Sequence, residues 1–291
     1  MKKNINIVAE IGCNHMGQLN LAKKFIKTLA NFCNAKFVKF QKRDIDSWMT
    51  SKQYNLPHPN PENSFGSTYG EHRKKLELNI KDHKILKSYA NKFGLIYSSS
   101  AWDLNSAKQI ASLNPKYIKI PSGCNMNFEI YNFLFKKFKG DIHISLGMTT
   151  IKEEKEIIKF IDKKNFLKRI VLYSCTSGYP VPPNQVCLLE VSRLVKDYKN
   201  KIKAVGFSGH HNGIAIDMAA VALGAEWIER HFTLDRTWKG TDHAASLEPD
   251  GMRKLIRNTN EVLDSLLFKN GKILDIEKAQ RIKLKNIVKI K

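Results

Sequence analysis

Two short segments carry histidines directly after apolar runs. Ser208-Gly209-His210-His211 follows residues 202–207, and Glu229-Arg230-His231 follows residues 225–228. Imidazole ligates divalent metals well, and two imidazoles at neighbouring strand ends make half of a metal site with open positions. Residues 213–224 between them are apolar at helical spacing, so the stretch reads as strand, crossover helix and parallel strand. That topology brings His210 and His231 to the same end of one sheet, with His211 as the alternative register. The competing reading is two satisfied histidines closing strand ends. Glu229 and Asp242, close by in sequence, add possible partners for a reactive site.

The rest of the chain repeats this unit. Strand-like runs are predicted over residues 5–11, 37–41, 95–98, 117–120, 142–146, 170–173, 204–207 and 226–228. Helices are expected to begin near Leu19, Ile80, Leu104, Phe128, Lys152, Gln185, Ile214 and Pro249. Capping signals support several of these starts: Asp103, Thr150 with Glu153 and Glu154, and Pro249-Asp250. Alternation of this kind implies a parallel sheet with right-handed crossovers. Eight units predict an α/β fold, a (β/α)8 TIM barrel forming a single domain over residues 1–268, with a doubly wound sheet as the alternative. Residues 269–291 read as a basic extension. Residues 42–79, with Pro57, Pro59, Pro61, Gly66 and Gly70, are too polar and broken for core and predict a lid over the barrel mouth.

Barrel enzymes place their chemistry at the carboxyl ends of the strands. Here those ends supply Glu10 and Asn14-His15, then Lys39 and Gln41, then Ser98-Ser99-Ser100, then Lys119 and Ser122. Ser145 and the run from Ser174 through Ser177 to Tyr179 follow, and Ser208 precedes the first histidines. Lysines at inward-facing positions are costly to bury, so Lys39 and Lys119 point to a cradle for a phosphorylated anion. The alternative places them outward between helices. Cys175, beside a strand end, reads as a small buried residue.

Composition narrows the class. The net charge of +22 is spread over nearly every helix-like segment without an arginine-rich arm, so a solvated basic surface is expected and nucleic acid is not the expected partner. No apolar run approaches the ~20 residues of a membrane span, and Glu10 interrupts the only stretch resembling a leader. Five cysteines without a C-x-x-C pair suit a reducing compartment, so a cytoplasmic location is expected. There is no P-loop and no dinucleotide fingerprint.

With these residues in view, the chain resembles the sialic acid synthase family, whose members condense phosphoenolpyruvate with an amino sugar or hexose. The likeness spans residues 7–255. It is strongest at Val38-Lys39-Phe40-Gln41, Lys119-Ile120-Pro121-Ser122, Ser145-Leu146-Gly147-Met148, Ile228-Glu229-Arg230-His231 and Trp238-Lys239-Gly240-Thr241-Asp242. The resemblance implies a divalent metal on His210 and His231, manganese foremost, with magnesium or cobalt as other candidates. It implies a phosphoenolpyruvate cradle of Lys39, Ser100, Lys119, Ser122, Ser145, Ser177 and Ser208. Glu10, Gln41, Tyr179, Glu229 and Asp242 would surround the sugar and the reacting carbons, with Glu10 and Glu229 catalytic. It also implies a homodimer.

Three departures stand out. Cys124 occupies a position that is usually acidic and contacts the sugar, and Gly209 replaces an aspartate. Most members continue into an antifreeze-like domain, whereas this chain stops at Lys291. Tyr69, Glu71, His72 and Arg73 of the lid are expected to replace part of that cap. A metal-dependent aldolase or another phosphoenolpyruvate-dependent keto-sugar-acid synthase is the alternative enzyme, and a basic nucleic-acid-binding protein is the alternative outside enzymes.

Overall fold

The computed structural model describes residues 5–286. Eight parallel strands form the centre: β1 (Asn6–Gly12), β2 (Phe37–Lys42), β3 (Ile96–Ala101), β4 (Tyr117–Ile120), β5 (Asp141–Ser145), β6 (Ile170–Cys175), β7 (Ala204–Gly209) and β8 (Trp227–His231). They pair in chain order, and β8 returns to β1 with Glu10 opposite His231. That closure makes the sheet a (β/α)8 barrel and rules out the doubly wound alternative.

Alternation along each strand decides what the barrel holds. On β2, Val38 and Phe40 pack outward against helices, whereas Phe37, Lys39 and Gln41 face inward. On β8, Ile228 faces out while Trp227, Glu229 and His231 face in. The inward residues nearest the amino ends are large and apolar. Phe37, Tyr117, Tyr173 and Trp227 fill the barrel as a floor, with Val8, Val171 and Ala204 between them. His143 completes that floor, stacked 3.9 Å from Tyr117 and hydrogen-bonded at 2.9 Å to the Tyr173 hydroxyl. Each fully buried side chain of this size contributes about 1.5–3 kcal/mol. Polar inward residues therefore collect above the floor, at the carboxyl ends.

The helices are α1 (Leu19–Asn31), α2 (Ile45–Trp48), α3 (Ser51–Tyr54), α4 (Tyr69–Leu76), α5 (Ile80–Lys92) and α6 (Leu104–Ser112). They continue with α7 (Phe128–Lys137), α8 (Ile151–Lys163), α9 (Glu190–Tyr198), α10 (Ala215–Ala222), α11 (Pro249–Ser265) and α12 (Asp275–Leu284). The expected caps work through side chains at two starts. Asp103 accepts from the Ser106 amide at 2.7 Å, and Thr150 and Glu153 form a reciprocal capping box. Pro249 is the first residue of α11, but the cap position is Glu248, whose side chain makes no capping bond. The helix expected near Gln185 begins only at Glu190. A single 3-10 turn over Pro183–Gln185 precedes it, and Cys187 takes a left-handed φ of 53° that breaks helical continuity.

The segment between β2 and α5 is more ordered than its polar sequence suggests. It contains α2, α3 and α4, and Ile45, His58, His72 and Leu76 are buried. His58 and His72 lie 4.3 Å apart, and Tyr69 stacks on His72. Ring packing replaces the aliphatic pattern that marks a core in sequence. α12 has no buried residue, and residues 1–4 and 287–291 of the expected barrel and extension lie outside the described residues. Among those described, no helix is long and apolar enough to cross a membrane.

Candidate active site

A cavity of about 270 Å³ opens at the carboxyl ends of the strands. Of the residues that the family resemblance implies for the site, all except Asp242 line it. Lys39 and Lys119 both point inward and are nearly inaccessible, so the outward alternative does not hold.

Two carboxylates and two ammonium groups meet at its base. Lys39 Nζ lies 2.5 Å from Glu10 Oε2 and donates to Ser100 Oγ at 2.7 Å. Lys119 Nζ donates to Glu229 Oε1 at 2.6 Å, and Lys39 approaches the same oxygen at 3.7 Å. Gln41 Nε2 donates to Glu10 Oε1 at 2.8 Å, while Arg43 Nη2 donates to Gln41 Oε1 at 2.6 Å and so fixes the amide's orientation. Burial pushes the Glu10 carboxyl up to about 7 against the pull of Lys39, and the neighbouring Glu229 charge adds to the rise. Burial would raise Glu229 too, but Lys119 and Lys39 outweigh it and hold that carboxyl below its usual range. One carboxyl is thus poised to exchange a proton near neutral pH, while the other stays ionised.

Hydroxyls from separate loops close the cradle. The Gly147 amide donates to Ser122 Oγ at 3.0 Å. A Cβ on Gly147 would lie 2.4 Å from Ser177 Oγ and 2.7 Å from Ser122 Oγ. Only glycine lets these two hydroxyls converge there. Ser208 Oγ donates to Glu229 Oε1 at 3.3 Å, while Ser145 Oγ and Glu229 Oε2 are buried without a protein partner. Orphaned polar atoms of this kind are costly and mark a place where a polar ligand sits.

The two imidazoles stand at the cavity's edge with centroids 5.4 Å apart. His210 Nδ1 bonds the Thr176 carbonyl at 2.9 Å, which makes Nδ1 the donor and leaves Nε2 as the ligating nitrogen of the neutral ring. Burial lowers this imidazole's proton affinity, but the adjacent Cys175 outweighs burial and raises it above the usual value. His231 Nδ1 is buried without a hydrogen bond, 3.9 Å from Asp242 Oδ2. Burial pushes the His231 imidazolium down to about 4, so the ring is neutral at pH 7 and able to ligate. Two neutral-capable imidazoles fit a divalent ion whose other positions are taken by water and substrate. Among the described residues, no group of three His, Cys, Asp or Glu side chains forms a complete cage. Tyr179 covers the pair, its ring 4.4 Å from His210. His211 turns the other way, 3.1 Å from Arg230 Nη1 and 3.3 Å from the buried Asp217 on α10.

Some expected residues serve elsewhere. Asn14 donates to the Phe232 carbonyl and Ser246 Oγ, and His15 Nδ1 accepts from the Gly17 amide. Both tie loops together rather than face the cavity. Cys124 also turns away, its thiol 3.6 Å from the Ala101 carbonyl and 3.7 Å from that of Pro121. Cys175 lines the cavity beside His210 instead of sinking into the core. In the lid, Glu71 is taken by Ser67 and His72 by the Phe65 amide. Trp102, Gly123 and Met148 line the cavity unanticipated. Trp102 stands two residues beyond Ser100, so strand alternation alone would have pointed it inward.

Known proteins resemble this chain over most of its length. A profile of the NeuB family matches residues 25–270. The N-acetylneuraminate-9-phosphate synthase of Mus musculus is 37% identical over 278 residues, covering 96% of this chain and 76% of that protein. The N,N'-diacetyllegionaminic acid synthase of Campylobacter jejuni is 37% identical over 288 residues, covering 99% and 83%. Among solved structures, the N-acetylneuraminic acid synthetase of Leptospira borgpetersenii in complex with citrate superposes with a TM-score of 0.81 at 25% identity. That match covers 98% of this chain and 94% of the other.

Proposed function

This chain belongs to the NeuB family, and we propose that it condenses phosphoenolpyruvate with N-acetylmannosamine or a related sugar. The products are a sialic-acid-type 2-keto acid and inorganic phosphate. One observation carries the reading. Two buried lysines, converging serine hydroxyls, two carboxyls with opposed proton affinities and two imidazoles share one cavity.

Lys39 and Lys119 bind the anionic groups of phosphoenolpyruvate, with Ser100, Ser122, Ser145, Ser177 and Ser208 as hydrogen-bonding partners. His210 and His231 hold a divalent ion, manganese foremost, which supplies Lewis-acid polarisation of the aldehyde when bound. Gln41, Tyr179 and Asp242 orient the open-chain sugar. The enol carbon of phosphoenolpyruvate forms a carbon–carbon bond to the aldehyde carbon with its double-bond electrons, the aldehyde π pair moves onto its oxygen, and C2 is left as an oxocarbenium centre. Glu229, kept ionised by Lys119 and Lys39, stabilises that positive charge. Water adds to C2 and Glu10 takes one of its protons, which is passed on to the former aldehyde oxygen to make a hydroxyl. The carbon–oxygen bond to phosphate then breaks, the new C2 hydroxyl loses its proton with the departing phosphate, and C2 becomes the ketone.

The relatives' names divide between a 9-phosphate and a diacetylated acid, so the acceptor's distal group must be read from this chain's own residues. The test is phosphate release with phosphoenolpyruvate, manganese and a panel containing N-acetylmannosamine and mannose. Sugar-dependent release is expected. A product formed from pyruvate without phosphate would instead establish an aldolase.

A further inference from the structure

We infer that the acceptor presents a neutral, N-acylated or deoxygenated end, rather than a phosphate, to a second cavity under the lid. The inference rests on the condensation reading and adds a substrate class to it. This cavity, of about 450 Å³, is walled by Trp48, Met49, Leu56, Pro57 and Tyr69, with Gly123 at its inner edge. It adjoins the reaction cavity directly. Gly123 lines both, and Trp102 of the reaction cavity packs edge-on against Trp48 at 5.6 Å. The partition is thin because Gly123 has no side chain. A Cβ there would lie 2.9 Å from the Trp102 ring. A sugar whose aldehyde lies at the histidine pair can therefore extend towards an aromatic recess.

The recess lacks what a phosphate needs. None of its lining side chains is ionised at neutral pH. The Arg43 guanidinium nearby is already committed: it lies 3.9 Å over the Trp102 ring, donates to Gln41 and pairs with Glu77 at 3.5 Å. Arg73 gives its Nε to the Tyr69 hydroxyl at 3.0 Å and does not line the recess. A phosphate dianion would lose hydration here without a charge-assisted partner among the lining side chains. An acetamido methyl or a deoxy carbon gains by burial against indole and phenol faces, and the Tyr69 hydroxyl and Gln53 Nε2 remain for polar contact.

The experiment uses the intact chain with phosphoenolpyruvate and manganese. Phosphate release is compared for N-acetylmannosamine, its 6-deoxy analogue and its 6-phosphate, and sugar binding is measured separately by titration calorimetry. Both neutral acceptors should exceed the 6-phosphate in kcat/KM by about tenfold or more. Leu56→Arg, at a half-exposed lid position, should shift that ratio towards the phosphorylated sugar. Trp48→Leu should weaken binding of the neutral sugars while leaving the KM for phosphoenolpyruvate unchanged. A wild-type preference for the 6-phosphate would overturn the inference and leave the condensation standing, as would a ratio unmoved by both substitutions. If no sugar releases phosphate, the condensation reading falls. Calorimetry then still decides the recess, supporting it if neutral sugars bind in a Trp48-dependent way and overturning it if they do not.

Discussion

Glu10 and Glu229 have the same side chain and oppositely shifted proton affinities, and the proposed reaction gives them opposite tasks. Glu10 must be ionised to accept a proton, and burial raises it to about 7. Turnover should therefore rise with pH through that region and be lost as pH falls below it. Glu10→Gln should remove this limb and lower kcat by about 10²–10⁴-fold, as pH–rate profiles of both forms would show. Lys119 keeps Glu229 ionised, and in the proposed reaction it binds the anion. Lys119→Ala should raise the KM for phosphoenolpyruvate by about ten- to a hundred-fold and leave the sugar KM nearly unchanged. The inward lysines and the histidine pair were legible because strand ends in a barrel face a common mouth. The Cys124 thiol lies against the Ala101 and Pro121 carbonyls, a direction that chain position does not give, so steady-state kinetics of Cys124→Ser should show an unchanged acceptor KM.

The strands were readable because period-two alternation is local, and α8 announced itself through Thr150 and Glu153. The segment between β2 and α5 was not, because its order depends on contacts distant in sequence. Glu77 receives Lys42 Nζ and the Arg43 amide at 3.0 Å each and pairs with the Arg43 guanidinium. Those links tie the end of the lid to β2 and, through Arg43 and Gln41, to Glu10. Glu77→Ala leaves two largely buried cations without their carboxylate. It should lower stability by about 3 kcal/mol in chemical denaturation, and it should also reduce kcat, since the amide that orients Glu10 loses its anchor.

At the scale of the molecule, closure of the barrel turns eight separate strand ends into one site. No pair of those ends is close in sequence, yet the residues implied by the family resemblance, from Glu10 on β1 to His231 on β8, fall on or just beyond all of them. The net charge of +22 is a property of the whole surface and suits an anionic substrate without defining the chemistry. The chemistry is defined by which bond to phosphate breaks. The direct measurement uses phosphoenolpyruvate labelled with ¹⁸O in the oxygen bridging carbon and phosphorus, with N-acetylmannosamine and manganese. Attack of water on C2 assisted by Glu10 predicts that the released phosphate carries the label and that none is released without sugar. Unlabelled phosphate, showing cleavage between phosphorus and the bridging oxygen, would contradict the account.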